Sequence, residues 1–199
     1  MANENLLNDL IGSRICHDLI SPLGAIGNGV ELLTMSGAGE APELSLISQS
    51  VESANARIRF FRVAFGAASA EAQVGNAEIR SILHDVYRRS RIRIDWHVDT
   101  DLPRAEVKLC CLLIQCLETA LPWGGTITAT RNDAGHWSLT ATAERLKIDD
   151  ALWDLISNPN SETQVTASEV QFALVPGLAA RLQRTVRAQS DTTGLAVSF

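Results

Sequence analysis

The sequence predicts an α+β chain in two parts. Residues 1–72 form a helical hairpin that pairs with a second copy into a dimeric four-helix bundle, and residues 73–199 form an α/β sandwich. Three observations carry this. The first third repeats apolar residues at steps of three and four, broken once by a glycine-rich turn. A lone hairpin cannot bury the apolar stripes of both helices. Beyond about residue 75 the pattern changes to strands of period two, hairpin turn signals and short helices.

The first helix is read over residues 5–35, with Ile11, Ile15, Leu19, Pro22, Ile26, Val30 and Leu33 as its apolar stripe. Gly37, Gly39 and Pro42 then interrupt the pattern. A second helix follows over 42–68, with Leu44, Ile47, Val51, Ala54, Ile58, Phe61 and Phe65 in alternating steps of three and four. That 3.5-residue period is the seam of a bundle or coiled coil. Pro42 suits the first turn, where its missing N–H has no helical partner. Two such helices joined by a short turn make an antiparallel hairpin, and a two-fold copy completes the core.

In the second part, helices are expected over 77–90, 104–121, 149–157 and about 167–183. Strands are expected at RIRIDWHVD (91–99), GGTITATR, HWSLTATAE, RTVRAQ and GLAVSF. Asn132, Asp133, Ala134 and Gly135 mark a hairpin turn. Helices with mostly antiparallel strands indicate a two-layer sandwich.

Composition narrows the function. The chain carries 17 basic and 23 acidic side chains, a net charge of −6. An acidic surface is a poor match for a phosphate backbone, so nucleic acid is not the expected partner. No apolar run has the roughly 18–20 residues that span a bilayer. The opening MANENLLNDL has no basic region ahead of an apolar stretch, unlike a signal peptide. A cytoplasmic chain with no membrane partner is the expectation. Cys110, Cys111 and Cys116 share one apolar segment without a C-x-x-C spacing or a histidine, and the four cysteines are read as small buried hydrophobes.

The residues that carry chemistry lie in RICHDLISPLGAIGN (14–28). At about 100° per residue His17 falls about 190° from the centre of the apolar stripe, on the outer face. Arg14, Ile20, Ser21, Gly24, Gly27 and Asn28 share that broad surface, and the small residues let another body approach the imidazole. An exposed neutral imidazole offers a nucleophilic nitrogen near neutral pH. Asp18 lies nearer the bundle, placed to orient the ring. Pro22 cannot donate to the carbonyl of Asp18 and is expected to open the helix beside His17. His84, His97 and His136 are read as ordinary histidines. Counting from the turn sets residue 17 level with 57–62. That makes Arg57, Arg59 and Arg62 candidates to face an acidic partner, with solvated helix charges as the alternative.

The run His17, Asp18, Leu19, Ile20, Ser21, Pro22 resembles the H-box of two-component histidine kinases, H-[DE]-x-x-x-P. The hairpin resembles their dimerisation and phosphotransfer domain, and the following layout their ATP-binding domain. Three nucleotide motifs of that family do not match. The Mg²⁺-holding Asn falls on Cys116, with Gln115 and Glu118 as the nearest polar residues. The D-x-G-x-G motif falls on Ala143, Glu144, Arg145, Leu146 and Lys147. The glycine-rich lid has only Val175, Pro176, Gly177 and Leu178 in its vicinity. A thiol is a poor ligand for hard Mg²⁺, and long basic side chains fill space where backbone must approach phosphate.

A phosphoacceptor beside a degenerate ATPase-like domain resembles the ChpT-type bacterial histidine phosphotransferases, as does RIRFFRVAFGAAS over 57–69. The resemblance implies a homodimer that relays a phosphoryl group through His17, from a receiver-domain aspartate of a hybrid kinase to response regulators. It implies no cofactor or metal on this chain, with Mg²⁺ carried by the receiver. An ATP-dependent kinase with divergent motifs and a non-catalytic dimerisation module are the alternatives.

Overall fold

The computed structural model describes residues 2–36, 41–69, 71–158, 161, 163–190 and 194–199. α1 (Ala2–Ser36) and α2 (Ala41–Ala64) form the hairpin. The turn glycines Gly37 and Gly39 lie outside the described residues. α1 does not open at Pro22, contrary to expectation: the helix is continuous through it. One missing N–H is a local loss, and Pro22 is buried beside Leu46 and Ser50 of α2, where packing offsets it.

After α2 the chain makes β1 (Gln73–Val74), α3 (Asn76–Tyr87), β2 (Ile92–His97) and β3 (Leu102–Pro103). α4 (Arg104–Thr119), β4 (Gly125–Arg131), β5 (Trp137–Thr142) and α5 (Asp150–Ser157) follow. A 3-10 turn (Ala167–Glu169) leads into α6 (Val170–Arg181), then β6 (Arg187–Ser190) and β7 (Gly194–Ser198). The main sheet has the order β2-β4-β5-β7-β6. Its β2–β4 pair is parallel and its other pairs antiparallel. β1 and β3 form a separate antiparallel pair that the sequence reading did not include. With two residues each, they are too short to show a period.

α4 connects β3 to β4 and lies between the sheet, α6 and α2. Its residues from Leu109 to Leu117 are all buried, as expected for a helix with no solvent face. That enclosure explains Cys110, Cys111 and Cys116, and burial pushes the Cys111 thiol up to about 12. Cys16 departs from the expectation of buried cysteines. It lies exposed on α1. Gly124 has φ +101, and a Cβ there would stand 2.7 Å from the Arg91 carbonyl, so only glycine admits the close approach that starts the β2–β4 pairing.

The two parts share a core. Phe60, Phe61, Val63 and Ala64 of α2 are buried with the helices and sheet of the C-terminal part, and Phe60 meets Tyr87 edge-on at 6.5 Å. Ion pairs Arg59–Asp85 (2.9 Å) and Arg62–Glu78 (3.7 Å) tie α2 to α3. The far end of the hairpin is different. Leu23, Val30, Leu44, Val51 and Ile58 stand exposed on the single chain. No helix among the described residues is long and apolar enough to cross a membrane.

Candidate functional site

His17 is 81% exposed, and its Nδ1 lies 3.1 Å from Oδ1 of Asp18. A carboxylate only accepts, so a neutral imidazole in this contact carries its proton on Nδ1 and its lone pair on Nε2. Asp18 itself is only 11% exposed. Its other oxygen, Oδ2, accepts from Arg14 Nε at 2.8 Å and lies 3.8 Å from Arg57 Nη1. Adjacent helical residues point about 100° apart, which is why the imidazole reaches solvent while the carboxylate faces α2. The arrangement presents a basic nitrogen outward and holds its counter-acid inward.

Behind Asp18 lies a cavity of about 80 Å³ between the hairpin and the C-terminal part. Arg14, Asp18 and Arg57 line one side, and Tyr87, Gln115 and Glu118 the other. Gln115 is buried, and its Oε1 has no partner among the described residues. Desolvation raises the Glu118 pKa, and Tyr87, Arg14 and Arg57 partly oppose that rise. Burial also pushes the Tyr87 hydroxyl well above its usual range. The sequence pattern singled out Gln115 and Glu118 only as neighbours of the Mg²⁺-ligand position. Tyr87 and Glu118 come from different helices, so no local spacing links them to His17.

The expected docking residues divide. Ser21, Gly24 and Asn28 are exposed on the side of His17. Gly24 and Gly27 both face open space, with nothing within 4 Å of an added Cβ. At about 100° per residue, however, Ile20 and Gly27 turn toward the side of Leu23 and Val30. Ile20 is 67% exposed. Arg57 remains beside Asp18, in agreement with the counting from the turn. Arg14 and Arg62 each have an ion-pair partner within the chain. Arg14 is 16% exposed, because its guanidinium is drawn inward to Asp18 and to the carbonyl of Ser168. Arg62 stays 68% exposed with Glu78 at 3.7 Å, and Arg59 is paired with Asp85 of α3, which packs across this end of α2.

The three stretches compared with nucleotide motifs occupy ordinary structural positions. Cys116 is fully buried inside α4. The guanidinium of Arg145 stacks over the Trp123 ring at 4.4 Å, and the Lys147 amide donates to the Ala120 carbonyl. Residues 175–178 are helical, within α6. No cluster of three metal-ligating side chains occurs among the described residues.

Comparison with known proteins gives a consistent answer. Residues 76–194 match the family model of the histidine phosphotransferase C-terminal domain. Over 170 residues the chain is 34% identical to protein phosphotransferase ChpT of Brucella abortus (strain 2308), covering 83% of this chain and 81% of that one. A solved structure of a bacterial phosphotransferase superposes with a TM-score of 0.80 at 29% identity, covering 96% of this chain and 94% of that one. The chain belongs to the ChpT-type histidine phosphotransferase family.

Proposed function

We propose that this chain is a homodimeric phosphorelay intermediate whose phosphoacceptor is His17. The observation that carries the reading is the exposed imidazole with Asp18 on Nδ1, which leaves Nε2 free to attack. The donor is an aspartyl phosphate on the receiver domain of a hybrid kinase. Nε2 bonds to phosphorus, the acyl-phosphate P–O bond breaks, and the receiver's aspartate leaves as carboxylate. The ring keeps its Nδ1 proton and becomes cationic, and Asp18 offsets that charge. The reverse sequence passes the group to a response regulator. The receiver supplies Mg²⁺ to neutralise the transferring group, and this chain supplies the nitrogen and its orientation. Family membership and the likeness to ChpT support phosphotransfer as the general activity.

The reading gives α1 two working faces. His17, Ser21, Gly24 and Asn28 form the side where the receiver docks, with Arg57 at its border and no bulky side chain at the glycines to hold it off. Ile20, Leu23, Gly27 and Val30 belong to the apolar side that a second copy covers, together with Leu44, Val51 and Ile58 of α2. The seven-residue steps 23/30 and 44/51/58 support a bundle seam.

ATP has no role in this scheme. The residues do not fit a nucleotide site: Cys116 is enclosed within α4, Arg145 is stacked on Trp123, and a helix stands at 175–178.

Mixing the protein with a receiver domain carrying labelled aspartyl phosphate tests the proposal. Acid-labile, base-stable label is expected on the native chain and absent from His17→Ala. Comparable uptake by His17→Ala would move the phosphoacceptor elsewhere. Absence of uptake by the native chain, across receivers of hybrid kinases and regulators, would favour a non-catalytic dimerisation module.

A further inference from the structure

Asp18 is not held by the hairpin alone. Arg14 sits one turn before it and uses two separate nitrogens. Nε donates to Asp18 Oδ2 at 2.8 Å, and Nη1 donates to the carbonyl of Ser168 in the 3-10 turn that precedes α6. That carbonyl is fixed from its own side. Gln171, fully buried, donates to it through Nε2 at 3.1 Å. The turn is closed by Thr166 and Glu169, with Thr166 N–H donating to Glu169 Oε2 at 2.9 Å. A continuous path of hydrogen bonds therefore runs from Gln171 through Ser168, Arg14 and Asp18 to Nδ1 of His17.

We propose that Arg14 is a positioning residue through which the C-terminal part sets the orientation and tautomer of His17. The inference rests on His17 being the phosphoacceptor, and it gives the C-terminal part a task that does not involve nucleotide. A carboxylate next to an exposed ring is free to rotate about its own side-chain bonds. Fixing one oxygen from behind aims the other at Nδ1, which keeps the proton there and the lone pair on Nε2. Arg57 does not duplicate this. Its nitrogen is 3.8 Å from Oδ2, so it adds charge without a directed bond. The planar fork of Arg14 reaches two acceptors at once, and a lysine has a single nitrogen for both. The low exposure of Arg14 separates this role from a direct contact with the receiver.

The test uses full-length Arg14→Gln and Arg14→Lys, with Arg59→Gln as a comparison. Arg59→Gln removes another bond between the two parts, the one to Asp85, which lies outside the path from Gln171 to His17. Nitrogen NMR on histidine-labelled protein reads the tautomer of His17, and transfer from a phosphorylated receiver reads the rate. Both Arg14 variants are expected to shift His17 from the Nδ1–H form toward the mixture of a free imidazole. The maximal transfer rate should fall about tenfold or more. The receiver concentration at half-saturation should stay the same, and Arg59→Gln should leave the tautomer unmoved. An unchanged tautomer and rate in both Arg14 variants would overturn the proposal. A raised half-saturation with an intact maximal rate would make Arg14 a docking residue instead. A shift equally large in Arg59→Gln would assign the effect to general loosening and overturn it too. Failure of the native protein to accept phosphate is a separate outcome: it removes the phosphoacceptor reading, while the tautomer measurement still reports on Arg14.

Discussion

Ile58→Asp puts the dimer to a quantitative test. Ile58 is 49% exposed on the single chain, so each protomer tolerates the change without opening its own core. In the proposed bundle the exposed half is covered by the second copy. Covering it is worth about 1 kcal/mol, half of what full burial of an isoleucine gives. An aspartate there loses that gain and places an uncompensated charge in a dry seam, a cost of about 3–5 kcal/mol. Two-fold symmetry introduces the substitution twice, so the dimer is weakened by about 8–12 kcal/mol. About 8 kcal/mol separates nanomolar from millimolar dissociation. Sedimentation or light scattering at micromolar concentration should therefore show a native dimer and a monomeric variant, with the helical circular-dichroism signal retained. A native monomer under those conditions, or a variant that remains a dimer, would refute the assignment of this face.

His17→Ala should abolish transfer and leave thermal stability within about 0.5 kcal/mol of the native protein, since the side chain is 81% exposed; differential scanning calorimetry checks it. Glu118→Gln should change the pH dependence of stability. Desolvation raises the folded-state pKa of Glu118 above its ordinary 4.5, so its contribution is most favourable below that value and is lost as pH rises through the folded pKa. The variant is therefore expected to melt higher than the native protein at about pH 8 and to lose that advantage at about pH 4, and the reverse order would contradict the sign. ATP with Mg²⁺ should give no calorimetric binding at low micromolar concentration, and saturable binding there would restore a kinase reading.

The periodic parts of this molecule were legible from residue order. The hairpin helices, the strands at 92–97, 125–131 and 137–142, and the turn at Asn132–Gly135 all follow local rules of spacing and turn chemistry. The outward aspect of His17 and the inward one of Asp18 follow from the 3.6-residue turn in the same way. Other features depend on which surfaces meet. Pro22 stays helical because α2 buries it, and the two-residue strands β1 and β3 exist only as a pair. Arg14 and Arg59 looked alike as exposed helix charges, yet Arg14 is drawn to Ser168 and Arg59 to Asp85. A long flexible cation takes its direction from the acceptor it finds, and its own position along the helix does not specify that acceptor. For the same reason the enclosure of Gln115 and Glu118 behind Asp18 required three helices to close around them. Residue order alone was enough for the longer helices and strands and for the outward aspect of His17. The partners that surround Asp18 beside it came from tertiary packing, because those contacts join groups separated by as many as 154 residues.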